Sequence, residues 1–235
     1  MAHEPLHLSN PEKFGLQSPR KLASGHSLYR QMKNGSEIPG ELMEIAYRTT
    51  ADGFGRPNDE NNRRDVYNHI TPDFVDLDWI VDENGLVVGF GASATFQEDG
   101  NLPLFYLGGL MLFKEAQGKR AGSEFIKARI QEERAGSIGL QTQNSYMQRA
   151  ANKYGLYNVE RAYDFGLAHR NSPENLIEVV ETSTGKLVVE RNRYINLVTG
   201  EPMCLYGDLT PEQCIEGLDC PGDAAILVID VVNDL

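Results

Sequence analysis

The stretch on which the reading turns is "LMLFKEAQGKRAGSEF", Leu110 to Phe125. An apolar run ends, a short loop carries Gln117, Gly118, Lys119, Arg120, Ala121 and Gly122, and an amphipathic pattern begins. The apolar run reaches back to Leu102 as "LPLFYLGGLMLF", and its continuous apolar character predicts a strand covered on both faces. Gly108 and Gly109 inside it mark a bulge or a close backbone approach. Beyond the loop, Ser123 to Ala135 reads as a helix that buries Phe125, Ile126 and Ile130 and turns Lys127, Arg129, Glu132 and Glu133 elsewhere. A strand that passes into a helix through glycines leaves the first helical amides without acceptors, at the positive end of the helix dipole. An anion placed there collects charge-assisted hydrogen bonds of about 1.5–3 kcal/mol each. Glycine keeps side chains from holding the anion off the backbone, and Lys119 and Arg120 add positive charge.

Working outward, "DWIVDENGLVVGFGASATF" predicts two strands joined by a turn at Asn84-Gly85, with Trp79 in the core. Gly40 to Ala51 reads as a helix with Leu42, Ile45 and Ala46 on its apolar face, and "DENNRRDVYNHI" as a second helix capped by Asp59. Residues 1–38 are polar, with Pro5, Pro11 and Pro19, and predict a surface-draped arm with one strand near Ser27 to Met32. Downstream, "SIGLQT" is a short strand, and Asn144 to Tyr154 a helix closed by Gly155. "LYNV" and "AYDFGLAH" read as strands, "LIEVVETSTGKLVVERNRY" as a hairpin around Thr184-Gly185, and "AAILVIDVV" as a last apolar strand. The order predicts a mixed α/β domain over residues 39–170. It is preceded by the arm 1–38 and followed by an acidic, β-rich C-terminal extension, 171–235, which has no Lys or Arg from Tyr194 onward.

The chain has 235 residues and a formal charge of -12, which argues against binding nucleic acid or an anionic membrane and suits a cationic partner. No apolar stretch approaches the roughly 18 residues of a membrane helix, and "MAHEPLHLSNPEK" lacks the apolar core of a signal peptide. Cys204, Cys214 and Cys220, an odd number, read as reduced thiols, so a cytoplasmic protein is expected. Neither these cysteines nor His3, His7, His26, His69 and His169 have metal-ligand spacing, so no metal is expected.

Two familiar phosphate motifs fail. A Walker A loop would need Gly at Phe113 and Ser or Thr at Arg120. "GFGASA", Gly89 to Ala94, imitates a dinucleotide fingerprint, but strand-like sequence follows it where a helix is required.

The segment Gln117 to Gly122 resembles, in register, the pyrophosphate loop of the GNAT superfamily of acyl-CoA-dependent N-acyltransferases, Gln/Arg-x-x-Gly-x-Gly/Ala. Arg120 stands where that family commonly has its first Gly. A second motif, an Asn followed eleven residues later by Gly with Lys two before it, is matched by Asn144, Lys153 and Gly155; Leu156 replaces the family's aromatic residue. The resemblance covers about residues 40–170. It implies a twisted central sheet flanked by helices and acetyl-CoA, or another acyl-CoA, as cofactor.

It further implies that backbone groups of Leu112 and Phe113 bind pantetheine, that the amides of Gly118 to Gly122, Lys119, Arg120 and Ala121 among them, hold the pyrophosphate, and that Asn144 orients pantetheine or the departing sulfur. The family's usual acid, a Tyr seven residues after the Asn, is Ala151 here; Tyr154 and Tyr146 are the available replacements, with Tyr154 taken as catalytic. Glu98, Asp99 and Asp78 are the carboxylates considered as general base. The expected acceptor is a small-molecule amine or basic peptide, and the expected assembly a monomer or homodimer. The competing readings are a degenerate, non-catalytic GNAT-like module that binds CoA or a protein, and an unrelated α/β domain.

Overall fold

A computed structural model describes residues 6–31, 37–72, 74–97, 102–204, 213–218 and 222–232. Met32, Glu98, Asp99 and Cys220 lie outside the described residues. The elements, in chain order, are β1 (Arg20–Lys21), β2 (Ser27–Arg30), α1 (Gly40–Phe54), α2 (Glu60–Ile70), β3 (Asp76–Val81), β4 (Val87–Phe96), β5 (Leu104–Leu112), α3 (Ala121–Glu133), β6 (Ser137–Thr142), α4 (Ser145–Ala151), β7 (Gly155–Tyr157), α5 (Val159–His169), β8 (Ile177–Thr182), β9 (Gly185–Glu190) and β10 (Ala224–Val231). The fold is mixed α/β: a mostly antiparallel ten-stranded sheet of order β1-β2-β3-β4-β5-β6-β10-β9-β8, with β7 on β10, and five helices among the described residues. The chain divides into two compact units, Met1–Ala94 with Leu107–Arg129, and Thr95–Tyr106 with Ile130–Leu235.

In the first unit, α1 and α2 bury Leu42, Ile45, Val66 and Ile70 in one cluster with Leu77, Trp79 and Val81 of β3 and Phe90 of β4. The indole of Trp79 is buried, and its Nε1 donates to Gln31 Oε1 at 3.1 Å. Asp59 caps α2 by accepting from Asn62 N at 2.9 Å. The β3–β4 turn forms at Asn84-Gly85, with Asp82 Oδ1 accepting the amides of Asn84 and Leu86 at 2.9 and 2.8 Å.

Two expectations fail in this unit. Residues 6–31 are no draped arm: Leu8, Phe14 and Leu16 belong to the core and β2 pairs with β3. Their apolar side chains are too widely spaced to register as a periodic pattern, yet each reaches the interior. Arg129 is fully buried. Its Nη2 donates to Asp76 Oδ2 at 2.8 Å and its Nε lies 3.7 Å from Asp78 Oδ2, two carboxylates that β3 presents to it.

In the second unit, β10 lies between β6 and β9, with Leu227 opposite Leu140 and Ala225 opposite Val189. "AYDFGLAH" is helical, not a strand. Asn158 caps α5 by accepting from Arg161 N at 3.1 Å, and Ala162, Phe165 and Gly166 form a buried stripe at helical spacing. Gly155 is not a helix cap either, for α4 ends at Ala151 and Gly155 opens β7. A Cβ there would lie 1.8 Å from Asp230 O, so the residue is glycine because two strand backbones meet.

Strand β5 is buried at Leu104, Phe105 and Leu107 but only half-buried from Gly108 to Leu112, so the expected cover on both faces holds for its first half alone. No described helix is long and apolar enough to cross a membrane.

Candidate functional site

The end of β5 and the start of α3 are joined by a 3-10 turn, Lys114–Ala116, and the loop 117–120. Gly118 has φ +76°, a left-handed conformation natural to glycine. Arg120 has φ +67°, a left-handed backbone that glycine adopts freely and that a side chain holds only at a cost.

Ser123 Oγ and Glu124 N turn back to Arg120 O, at 2.9 and 3.0 Å, and close the first turn of α3. Among the described residues, the five consecutive amides of Gly118, Lys119, Arg120, Ala121 and Gly122 have no hydrogen-bond acceptor. The side chains of Lys119 and Arg120 are exposed, without a carboxylate partner among the described residues. A Cβ on Gly118 would meet nothing within 4 Å, whereas one on Gly122 would meet the tip of Leu110 at 3.1 Å. The second position therefore tolerates a methyl group, which a leucine tip can yield to, and resists anything larger. Five donors and two cations on a short loop suit a diphosphate in number and sign.

The backbone that precedes this loop is partly occupied. Phe113 N donates to Val88 O at 3.1 Å, so that amide already serves the sheet. Leu112 O accepts Gln117 Nε2 at 3.1 Å and keeps a second lone pair. Asp78, considered as a base, is buried and ion-paired to Arg30 Nε at 3.0 Å; a carboxylate held by two arginines is a poor proton acceptor.

In the second unit, Asn144 caps α4, its Oδ1 accepting Tyr146 N at 2.8 Å. Its backbone forms an isolated bridge with Cys214, and Gln143 O accepts Ile215 N at 3.2 Å. Tyr154 follows α4 rather than lying on it, and is buried; burial pushes its phenol up to about 12. Tyr146 is exposed, with the Arg149 guanidinium 4.3 Å above its ring.

A polar chain that sequence reasoning missed runs from Tyr106 to Gln141 Oε1 at 3.0 Å, and from Gln141 Nε2 to the fully buried Glu190 at 2.9 Å. Glu190 also accepts Asn171 N at 2.7 Å and Asn175 Nδ2 at 2.8 Å. It follows Leu187, Val188 and Val189, and all four are buried, so no alternation in β9 singles it out.

No protein-family model matches the chain, and no curated protein matches it. The solved structures it resembles include a GNAT family acetyltransferase from Elizabethkingia anophelis with acetyl-CoA bound, at 11% identity and a TM-score of 0.47, covering 88% of this chain and 99% of that one. They include the ribosomal-protein-S18-alanine N-acetyltransferase from Escherichia coli, at 10% identity and a TM-score of 0.46, covering 89% and 98%. Aminoglycoside 6'-acetyltransferase type Ii is similar at 10% identity and a TM-score of 0.45, covering 87% and 97%.

Proposed function

We propose that this chain is an acyl-CoA-dependent N-acyltransferase that transfers an acetyl group to a primary amine. The observation that carries the reading is the loop after β5. Gly118 and Arg120 both hold left-handed backbone, and five successive amides stand open in front of α3. That backbone would hold the pyrophosphate of acetyl-CoA, with Lys119 and Arg120 adding charge and Gln117 fixing the strand end from which the loop departs. Leu112 O, with its remaining lone pair, would take a pantetheine amide; the amide of Phe113 would not, because Val88 occupies it.

The cofactor supplies an activated thioester. The amine nitrogen bonds to the acyl carbon as the carbon–sulfur bond breaks, the amine's proton passes to solvent, and the leaving thiolate needs a proton in return. Tyr154 is assigned that donation for its place just after α4; burial, which pushes its phenol up to about 12, keeps it protonated in the neutral range but makes it the weaker acid. Asn144 is assigned to orient the sulfur-bearing arm. The formal charge of -12 favours a cationic acceptor, a small amine or a basic peptide.

Calorimetric titration of the full chain with acetyl-CoA tests the cofactor reading, and Gly122→Val should abolish the binding. Equal affinity in that variant would remove the loop from the account. Thiol release from acetyl-CoA with a panel of amines tests the reaction. Binding without thiol release would support the alternative, a non-catalytic module that recognises CoA.

A further inference from the structure

The loop that the proposed function uses is held from behind by the last turn of α1. Asp52 Oδ2 accepts Lys114 N at 2.7 Å, the first amide after β5 and its following residue, Phe113. Gly53 O lies 3.4 Å from Gln117 Nε2, the same side-chain nitrogen that donates to Leu112 O at 3.1 Å. Gly53 is also in backbone contact with the strand end, since a Cβ built on it would fall 2.7 Å from Leu112 O. Two adjacent helical residues thus reach three points within Leu112–Gln117. A carboxylate near a loop suited to anions is electrostatically unfavourable, so its presence there calls for a local task. The task visible in the structure is acceptance of one backbone amide.

We propose that Asp52 is a positioning residue for the loop 117–122. By taking the Lys114 amide it fixes where β5 stops, and with Gly53 it fixes the direction in which the open amides of Gly118–Gly122 are presented. This inference rests on the loop's assignment to acyl-CoA for its functional consequence, and on the hydrogen bonds alone for its structural one.

The test is hydrogen exchange of the full-length, ligand-free protein over peptides covering residues 110–125, with urea unfolding and acetyl-CoA titration on the same samples. Asp52→Ala should speed exchange there by roughly tenfold or more, the scale of a lost hydrogen bond to a charged acceptor, with the unfolding midpoint little changed. Asp52→Asn should restore the wild-type rate, because its amide oxygen accepts the same bond without the charge. Gly53→Ala should also speed exchange although alanine is the better helix former, because the added carbon must displace Leu112 O. Weaker acetyl-CoA binding in Asp52→Ala, rescued in Asp52→Asn, completes the expected pattern.

Unchanged exchange in Asp52→Ala, or a failure of Asp52→Asn to rescue it, overturns the inference. A wild-type protein that does not bind acetyl-CoA would instead refute the functional reading of the loop, while the exchange data still decide whether Asp52 holds it.

Discussion

Arg120 holds a conformation that costs a side chain about 1 kcal/mol and costs glycine nothing, at φ +67°. Arg120→Gly should therefore raise stability by about 1 kcal/mol in urea unfolding, and a loss of stability would mean that the guanidinium holds the loop. Gly155 is the opposite case. The methyl group of Gly155→Ala would meet Asp230 O at 1.8 Å, which only separation of β7 from β10 relieves. A cost of about 3 kcal/mol is expected, read as a melting temperature lower by roughly 10 °C. Both residues sit in motif positions legible in the sequence, but their physical roles were not. A glycine that ends a helix and one that lets two strands touch are the same letter, and only the distance to Asp230 separates them.

At the scale of elements, Asp65 of α2 ties that helix to Arg56, in the connection that leaves α1. Arg56 Nη2 lies 2.6 Å and His69 Nδ1 3.3 Å from its carboxylate. Burial opposes ionisation of Asp65, but the hydrogen bonds and charges of His69 and Arg56 outweigh it and hold the group at about 2. A depressed pKa means the stabilisation is present above the ordinary value of 3.8 and is lost as pH falls from there toward about 2. Asp65→Asn should cost about 2 kcal/mol at neutral pH and flatten the acid limb of the stability curve over that window, measured by urea unfolding at stepped pH.

For α5, Asn158 both caps the first turn and donates Nδ2 to Asp230 Oδ2 at 2.8 Å. Asn158→Ala should cost about 1–2 kcal/mol, read by thermal unfolding. The sequence pattern of α5 was misread because its buried face is made of Ala162, Phe165 and Gly166, two of them nearly without apolar side chain, so the helical period carries little hydrophobic contrast.

At the scale of the molecule, β10 is the decisive element. It is bonded to β6, β7 and β9, and its residues Ala224 to Ile229 are buried. Val228→Asp should leave little folded protein, because a carboxylate would be forced into the apolar cluster of Ala162, Phe165, Val188 and Ile226; circular dichroism and solubility of the purified chain would show it. A variant that folds like wild type would contradict this strand order. Read along the chain, this segment looked like the end of an acidic extension, since position along the chain says nothing about which strands a segment enters.

The sequence by itself determined the apolar strands, the two N-terminal helices, the turn at Asn84-Gly85 and the glycine-bearing loop before α3, because each is set by residues within a few positions of one another. Tertiary structure alone decided that Arg129 is buried on Asp76, that Asp78 is spent in ion pairs, that Gly155 lies against Asp230 and that β10 enters the sheet between β6 and β9. Each of these joins residues far apart in the chain, and local pattern carries no information about which distant partner will supply the matching charge, space or strand edge.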